Sequence, residues 1–148
     1  MIRPGIDLLV GLAAAVLFIR LARRHAPGAE LRLYAAGLLI AAGVYVAFGL
    51  VLGGKPLGYE LIQLVVVTII VVVGIRRSPM IIAGGWLLHS GWDLLHVLPD
   101  LSRHAPDWYV FACLSFDVVV AGYIVAGRGG YHLDQAGAPP MTKPVDQT

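Results

Sequence analysis

The chain alternates long apolar stretches with short polar connections. A helix rises about 1.5 Å per residue, so roughly 17 to 25 apolar residues cross a hydrocarbon core about 30 Å thick. The connections combine proline or glycine with charged residues, which is typical of turns. The pattern predicts an all-α domain over residues 1–130, a bundle of five transmembrane helices, and a flexible cytoplasmic tail over 131–148. The predicted spans are 5–21, 33–52, 59–75, 79–98 and 108–126.

Composition supports a chain that is dissolved mostly in lipid. Of its 148 residues, 58% are hydrophobic and 14% are charged, and the mean hydropathy is +0.79. Soluble domains carry about 25% charged residues because water must solvate their surfaces. The formal net charge of +2 includes no long basic run, so nucleic acid is not an expected partner. The one cysteine, Cys113, excludes an intramolecular disulfide.

The distribution of Lys and Arg predicts the orientation of the bundle. Eight of these residues fall on one side of the predicted spans and three on the other. By the positive-inside rule the N-terminus lies outside and the C-terminus lies in the cytoplasm, as an odd number of spans requires. We therefore expect a multi-pass protein of the bacterial inner (plasma) membrane. The first span could instead be a signal peptide, but it ends in basic residues at 20–24, where a cleavage site needs small ones.

The fourth stretch carries three ionisable residues on one face. His89, Asp93 and His96 occupy positions i, i+4 and i+7, within about 40° of one another around a helix. An ionisable group near mid-membrane costs roughly 2.5–3.5 kcal/mol, so such groups usually face the bundle interior and pair there. Gly84 and Gly91 lie on the other side of the helix, where we expect a neighbouring helix to approach closely.

Polar residues on the other stretches are candidate partners. Asp117 lies near the middle of the fifth stretch, with Cys113 one turn earlier on the same face. Glu60 lies at the outer end of the third stretch, and Tyr45 lies past the middle of the second. Given the predicted orientation, all these groups fall in the middle or outer half of the membrane. We expect a polar cavity that opens outward under the loop at 99–106.

Two motifs carry a resemblance to a known family. The motif His-x2-Trp-Asp-x2-His at 89–96, followed by Cys-x3-Asp at 113–117, resembles small uncharacterised bacterial integral membrane proteins that carry a domain of unknown function. Val97 stands where a second adjacent His is common in that family. The resemblance implies a shared fold and site and supplies no reaction. The His-x3-Asp spacing is also similar, more weakly, to the His-x3-Glu pair of the sterol-isomerase-like membrane fold.

One interpretation of these residues is a metal site. Imidazole nitrogen and carboxylate oxygen are suitable ligands for zinc, iron or copper. In this interpretation His89 and His96 are ligands and Asp93 is a ligand or orients one. Asp117 or Glu60 completes the coordination shell. The chain would then be a metal-binding protein or a metal-dependent membrane enzyme that acts on a lipophilic substrate.

A second interpretation is metal-free acid and base catalysis on an isoprenoid or sterol-like lipid. Asp93 or Asp117 would be the acid, and His89 would be the base. An aromatic pocket would hold the apolar substrate. The residues expected to line it are Trp86, Trp92 and Tyr45.

Two further interpretations stay open. The ionisable groups could relay protons or ions as part of a transporter, or they could only pair helices by hydrogen bonding. Membrane lipid is the expected partner in every case, and a homo-oligomer is compatible with each of them.

Overall fold

The computed structural model describes residues 4–52, 55–97 and 105–128. Within these residues the chain folds into α-helices and no strand, which confirms the all-α prediction. Five α-helices are followed by a π-helical turn, Ile124–Arg128, in which Gly127 has a φ of 69°. The helices are α1 (Pro4–Ala22), α2 (Pro27–Leu52), α3 (Lys55–Arg77), α4 (Pro79–Val97) and α5 (Asp107–Tyr123).

Helix α2 begins earlier than the hydrophobic pattern predicts. The carbonyl oxygen of Ala26 accepts hydrogen bonds from the backbone N–H groups of Ala29 (2.8 Å) and Glu30 (2.9 Å). Pro27 is therefore the first helical residue, a position where proline is favoured because the N–H it lacks would have no helical partner. The predicted connection at 26–28 is thus already helical in part, and the polar residues up to 32 belong to α2.

A single residue, Ser78, connects α3 to α4. Its hydroxyl oxygen accepts a hydrogen bond from the backbone N–H of Met80 (3.2 Å) and so caps the start of α4. Gly74 makes the sharp turn possible, because a Cβ at this position would lie 2.8 Å from Cγ1 of Ile82. The consequence is that α3 and α4 pack side by side.

Helix α4 occupies the centre of the bundle. It packs against α5 on one side and α3 on the other, and it also contacts α2. Helix α1 is held to α5, where Gly11 faces the backbone of Ala112 and the hydroxyl of Ser115 donates to the carbonyl oxygen of Leu8 (2.9 Å). Contacts between α1 and α2 are sparse by comparison, so the bundle is less tightly closed between these two helices.

Four of the described helices, α1, α2, α3 and α5, are long and apolar enough to cross a membrane. The predicted span at 79–98 corresponds to α4, which is not among them, because its sequence includes the polar residues His89, Asp93 and His96. The orientation of the termini stays a prediction. The predicted tail at 131–148 lies outside the described residues, as does most of the loop at 99–106 that was expected to cover the site.

The prediction about the glycines of α4 was wrong. A Cβ at Gly84 or Gly91 would meet nothing within 4 Å, so none of the described helices approaches them closely. The close approach occurs at Gly85 instead, where a Cβ would lie 2.7 Å from Cδ2 of Leu38 and 2.8 Å from Cγ2 of Ile70. The reason is that α2 and α3 both pack on the side of α4 that carries the polar stripe.

Candidate metal centre

The polar stripe of α4 faces the interior of the bundle. His89 and Asp93 have no exposed surface, and His96 is 7% exposed. The periodicity of a helix places these three residues on one side, and the neighbouring helices α2, α3 and α5 each contribute a polar partner to it. Which partner each residue meets depends on the helix that lies opposite it.

Helix α5 supplies the partners of His89. Nδ1 of His89 lies 2.8 Å from Oδ2 of Asp117, and Oδ1 of Asp93 lies 3.7 Å from the same nitrogen. The sulfur of Cys113 lies 3.9 Å from that nitrogen, and its thiol also donates to Oδ1 of Asp117 at 3.8 Å. All four side chains are buried.

These four residues, His89, Asp93, Cys113 and Asp117, form a compact group that we call the inner cluster. One potential ligand atom from each of them lies within 4.8 Å of the others. Nitrogen, oxygen and sulfur donors at this separation suit zinc and related transition metals. The inner cluster is thus the part of the described structure where a metal ion could be held.

Two atoms of the inner cluster have no hydrogen-bond partner among the described residues. They are Nε2 of His89 and Oδ2 of Asp93, and both are buried. Buried polar atoms are nearly always paired, because an unpaired one loses its hydration without compensation. Nδ1 of His89 already meets a carboxylate, and a metal-binding histidine typically donates its other ring nitrogen in this way. The arrangement leaves Nε2 as an available ligand atom.

Tyr45 of α2 borders the inner cluster. Its hydroxyl donates a 2.5 Å hydrogen bond to Oδ1 of Asp93. Its ring lies 5.5 Å from the ring of His89 and 4.7 Å from that of His96, between centroids. Tyr45 has no exposed surface. It therefore orients Asp93 and separates the inner cluster from the remaining polar residues of the stripe.

His96 of the stripe and Glu60 of α3 form what we call the outer pair, which Trp92 contacts. Oε1 of Glu60 lies 3.1 Å from Nε2 of His96, and Oε2 accepts a hydrogen bond from Nε1 of Trp92 at 3.1 Å. Nδ1 of His96 lies 3.0 Å from the carbonyl oxygen of Trp92 and must donate to it. Both carboxylate oxygens and both ring nitrogens are thus engaged.

This geometry fixes the charge of the outer pair. Because Nδ1 of His96 carries a hydrogen, the contact between Nε2 and Glu60 holds one proton, on either the imidazole or the carboxyl group. In both arrangements the two side chains together are neutral. Burying a neutral, hydrogen-bonded pair costs less free energy than burying an unpaired charge.

An apolar groove reaches the inner cluster from the side of the bundle. It has a volume of about 450 Å³ and lies between α1 and α2, with parts of α4 and α5 at its base. None of the described residues that line it is charged. Cys113 is one of them, so the groove ends at the inner cluster. Its aromatic lining residues are Phe18, Trp86, Trp108, Tyr109 and Phe116.

The structure separates the three aromatic residues that were expected to line one pocket. Trp86 lines the groove, and its Nε1 is buried without a hydrogen-bond partner. Trp92 lines a different cleft of about 140 Å³ against α3, and Tyr45 contacts Asp93 from α2. The groove residues of α1, such as Phe18, were not identified from the sequence, since an apolar residue in an apolar helix gives no signal of its own.

The structure also divides the residues that the sequence proposes as metal ligands. His89 and Asp93 belong to the inner cluster together with Asp117, whereas His96 and Glu60 pair with each other. Cys113, which the sequence places on the same helix face as Asp117, joins the inner cluster. The charged residues of the loop at 99–106 that was expected above the site, Asp100 and Arg103, and the loop histidine His104 lie outside the described residues.

The fold and the inner cluster together define a class of protein: a helical bundle with membrane-type helices that encloses a buried group of potential metal ligands. Residues 6–130 match the family described as "Family of unknown function (DUF6010)", and the chain belongs to that family. The expectation of an uncharacterised family is confirmed, while the shared motif and the bacterial origin stay predictions. No curated protein and no solved structure matches the chain.

Proposed function

We propose that the chain is a five-span protein of the bacterial inner membrane whose inner cluster binds a divalent transition metal. In this proposal the metal serves chemistry on a lipophilic substrate. The observation that carries it is the pair of unpartnered buried atoms, Nε2 of His89 and Oδ2 of Asp93, within a group of four potential ligands.

The distribution of exposed residues supports α4 as the fifth span. Its exposed residues are all apolar or glycine, and leucines such as Leu87, Leu88 and Leu94 are each about half exposed. Its polar residues are buried. A helix with apolar residues outside and polar residues inside suits a position in lipid, because its low hydropathy comes only from side chains that never meet the lipid.

The composition of the inner cluster supports a metal as its ligand. Two carboxylates and a thiol at this separation repel one another when ionised, and neutral protonated forms leave unpaired atoms in an apolar surrounding. A divalent cation compensates the negative charge and occupies the unpaired positions. A mixed set of nitrogen, oxygen and sulfur ligands favours zinc, with iron or copper as the other candidates.

Each residue of the inner cluster has a specific role in this proposal. His89 binds the metal through Nε2, and Asp93 and Cys113 supply oxygen and sulfur. Asp117 holds His89 through Nδ1 and so fixes the direction of Nε2. Tyr45 positions Asp93 through its hydroxyl. When bound, the metal would polarise a substrate oxygen as a Lewis acid.

A metal-free acid and base site is the second candidate. It is favoured by the 2.8 Å contact between His89 and Asp117, a geometry in which a carboxylate orients an imidazole base. Under this alternative the purified protein holds no metal. Substitution of Asp117 would then reduce activity without any change in metal content.

Elemental analysis of the protein, purified in mild detergent without chelators, tests the proposal. We expect about one metal ion per chain in the wild type, and its loss from a His89→Ala variant. His96→Ala tests the outer pair separately. His25→Ala is the matched control, because His25 is an exposed histidine whose ring contacts the backbone carbonyl oxygen of Leu21, away from both clusters.

The same experiment defines the results that contradict the proposal. A metal-free wild type, or a His89→Ala variant that keeps its metal, would overturn it. If His89→Ala does not fold, the nearly isosteric Cys113→Ser variant replaces it. That variant is expected to bind the metal at least about tenfold more weakly, because a thiolate ligand is lost.

A further inference from the structure

The groove between α1 and α2 differs from an ordinary gap between membrane helices. It is lined by aromatic side chains of α4 and α5 and includes Cys113, whose sulfur lies 3.9 Å from Nδ1 of His89. Its volume of about 450 Å³ falls within the range of about 300–1,000 Å³ that is usual for small-molecule sites. It therefore connects the lipid-facing side of the bundle to the inner cluster.

The surroundings of the groove restrict what can occupy it selectively. Lipid tails are as apolar as the groove, so a hydrocarbon chain gains nothing from the hydrophobic effect when it moves from the bilayer into the groove. A specific occupant needs favourable contacts that a saturated tail lacks. Five aromatic rings line the groove, and such rings pack best against flat, unsaturated groups in defined geometries. A stiff chain also loses less conformational entropy when it is bound.

One lining residue, Trp86, carries a polar atom that favours a polar end on the occupant. Nε1 of Trp86 is buried without a hydrogen-bond partner, and Trp86 is one of the lining residues. An indole N–H only donates, so it suits a hydroxyl or carbonyl oxygen. The described lining residues include no charged side chain that would compensate a charged head group. The occupant is therefore neutral.

We propose that this groove is a lateral entrance for a neutral isoprenoid lipid with a small hydroxyl or carbonyl end. The lipid enters from the bilayer between α1 and α2, and its polar end lies near Trp86 and Cys113. This inference rests on the proposed function, since it identifies the substrate class of the inner cluster. An acyl chain of ordinary phospholipid is the competing occupant.

Photolabelling in phosphatidylcholine vesicles tests this proposal. The probe is a geranylgeraniol analogue that carries a diazirine, and labelled residues are mapped by mass spectrometry. We expect the probe to label α1 and α5 residues in the groove. Excess geranylgeraniol is expected to reduce this labelling at least about fivefold more effectively than phytanol, its saturated counterpart. General labelling of lipid-facing surfaces is not competed and serves as the internal reference.

Two adjacent alanines of α1 provide matched variants. Ala13 and Ala14 are both exposed, but only Ala14 lines the groove. Ala14→Trp is expected to reduce the competed labelling at least about fivefold, because the larger side chain fills the groove, whereas Ala13→Trp leaves it unchanged. Trp86→Phe keeps the ring and removes the N–H, and is expected to weaken competition about threefold.

The outcomes separate this inference from the proposed metal site. Equal competition by geranylgeraniol and phytanol, or equal effects of Ala14→Trp and Ala13→Trp, would overturn the lateral entrance. Metal content is measured on the same samples. If the protein holds metal but fails the labelling test, the proposed metal site stands and the proposed substrate class does not. If the protein holds no metal but passes the labelling test, only the proposed lipid site stands.

Discussion

The inner cluster and the outer pair are both built against the polar face of α4, yet their hydrogen bonding differs. In the outer pair, both carboxylate oxygens of Glu60 and both ring nitrogens of His96 are engaged. In the inner cluster, one atom each of His89 and Asp93 has no hydrogen-bond partner within the described part of the chain. Burial is similar in both, so burial alone does not distinguish a structural contact from a binding site. In our proposal the unsatisfied atoms, together with the four potential ligands around them, make the inner cluster the binding site.

The largest expected difference between the two clusters concerns metal affinity. Asp117→Asn is expected to weaken metal binding by about 10–100-fold, because it removes the carboxylate that holds His89. Glu60→Gln, the matching change in the outer pair, is expected to alter the affinity by less than about threefold. Competition with a metal indicator dye measures both values. A comparable loss in both variants would mean that the two clusters form one site.

The next effect concerns stability. Glu60→Leu removes the carboxylate that contacts Nε2 of His96 and Nε1 of Trp92, and is expected to lower the free energy of unfolding by about 1–3 kcal/mol. Metal content is expected to stay at the wild-type value. Unfolding by sodium dodecyl sulfate in mixed micelles measures the stability. If this variant were as stable as the wild type, the result would contradict a stabilising role for the outer pair.

Two buried tyrosines sharpen the comparison further. The hydroxyl of Tyr45 donates to Asp93 at 2.5 Å, and that of Tyr34 donates to Glu30 at 2.7 Å, away from the inner cluster. Tyr45→Phe is expected to weaken metal binding about tenfold, because Asp93 loses the group that orients it. Tyr34→Phe removes an equivalent hydrogen bond and is expected to leave the metal affinity unchanged. Identical metal affinities in the two variants would show that Tyr45 has no role in metal binding.

The smallest effect concerns the position of α4. Gly85→Ala is expected to destabilise the protein by about 1 kcal/mol, since the added methyl group must displace Leu38 and Ile70. Gly84→Ala is the control and is expected to be neutral or slightly stabilising, because its Cβ points into open space. Thermal unfolding in detergent compares the two. Equal stabilities would contradict the close packing of α4 against α2 and α3.

The helices could be predicted from the sequence because span length and breaker residues are local properties. Gly84 and Gly91 show the limit of that approach, since their spacing suggests a packing face while the polar stripe faces the neighbouring helices. A hydrophobic pattern does not specify which side of an apolar helix meets a partner. The start of α2 at Pro27 was also not evident from the hydrophobic pattern, and it follows from the hydrogen bonds that the carbonyl oxygen of Ala26 accepts.

The candidate site was predictable in part. The spacing of His89, Asp93 and His96 predicts one stripe, and the structure confirms that all three are buried. The division of that stripe depends on the height at which each neighbouring helix presents its polar residue, with Asp117 opposite His89 and Glu60 opposite His96. Such pairings between distant parts of the chain have no periodic signal in a single sequence.

X-ray absorption spectroscopy of the zinc-loaded protein tests the central claim most directly. If the inner cluster binds the metal, the spectrum contains one sulfur ligand at about 2.3 Å, together with nitrogen or oxygen ligands at about 2.0–2.2 Å. The sulfur contribution disappears in Cys113→Ser while the nitrogen and oxygen ligands persist. Stoichiometric zinc in the wild-type protein with no sulfur ligand would place the metal elsewhere and contradict the account.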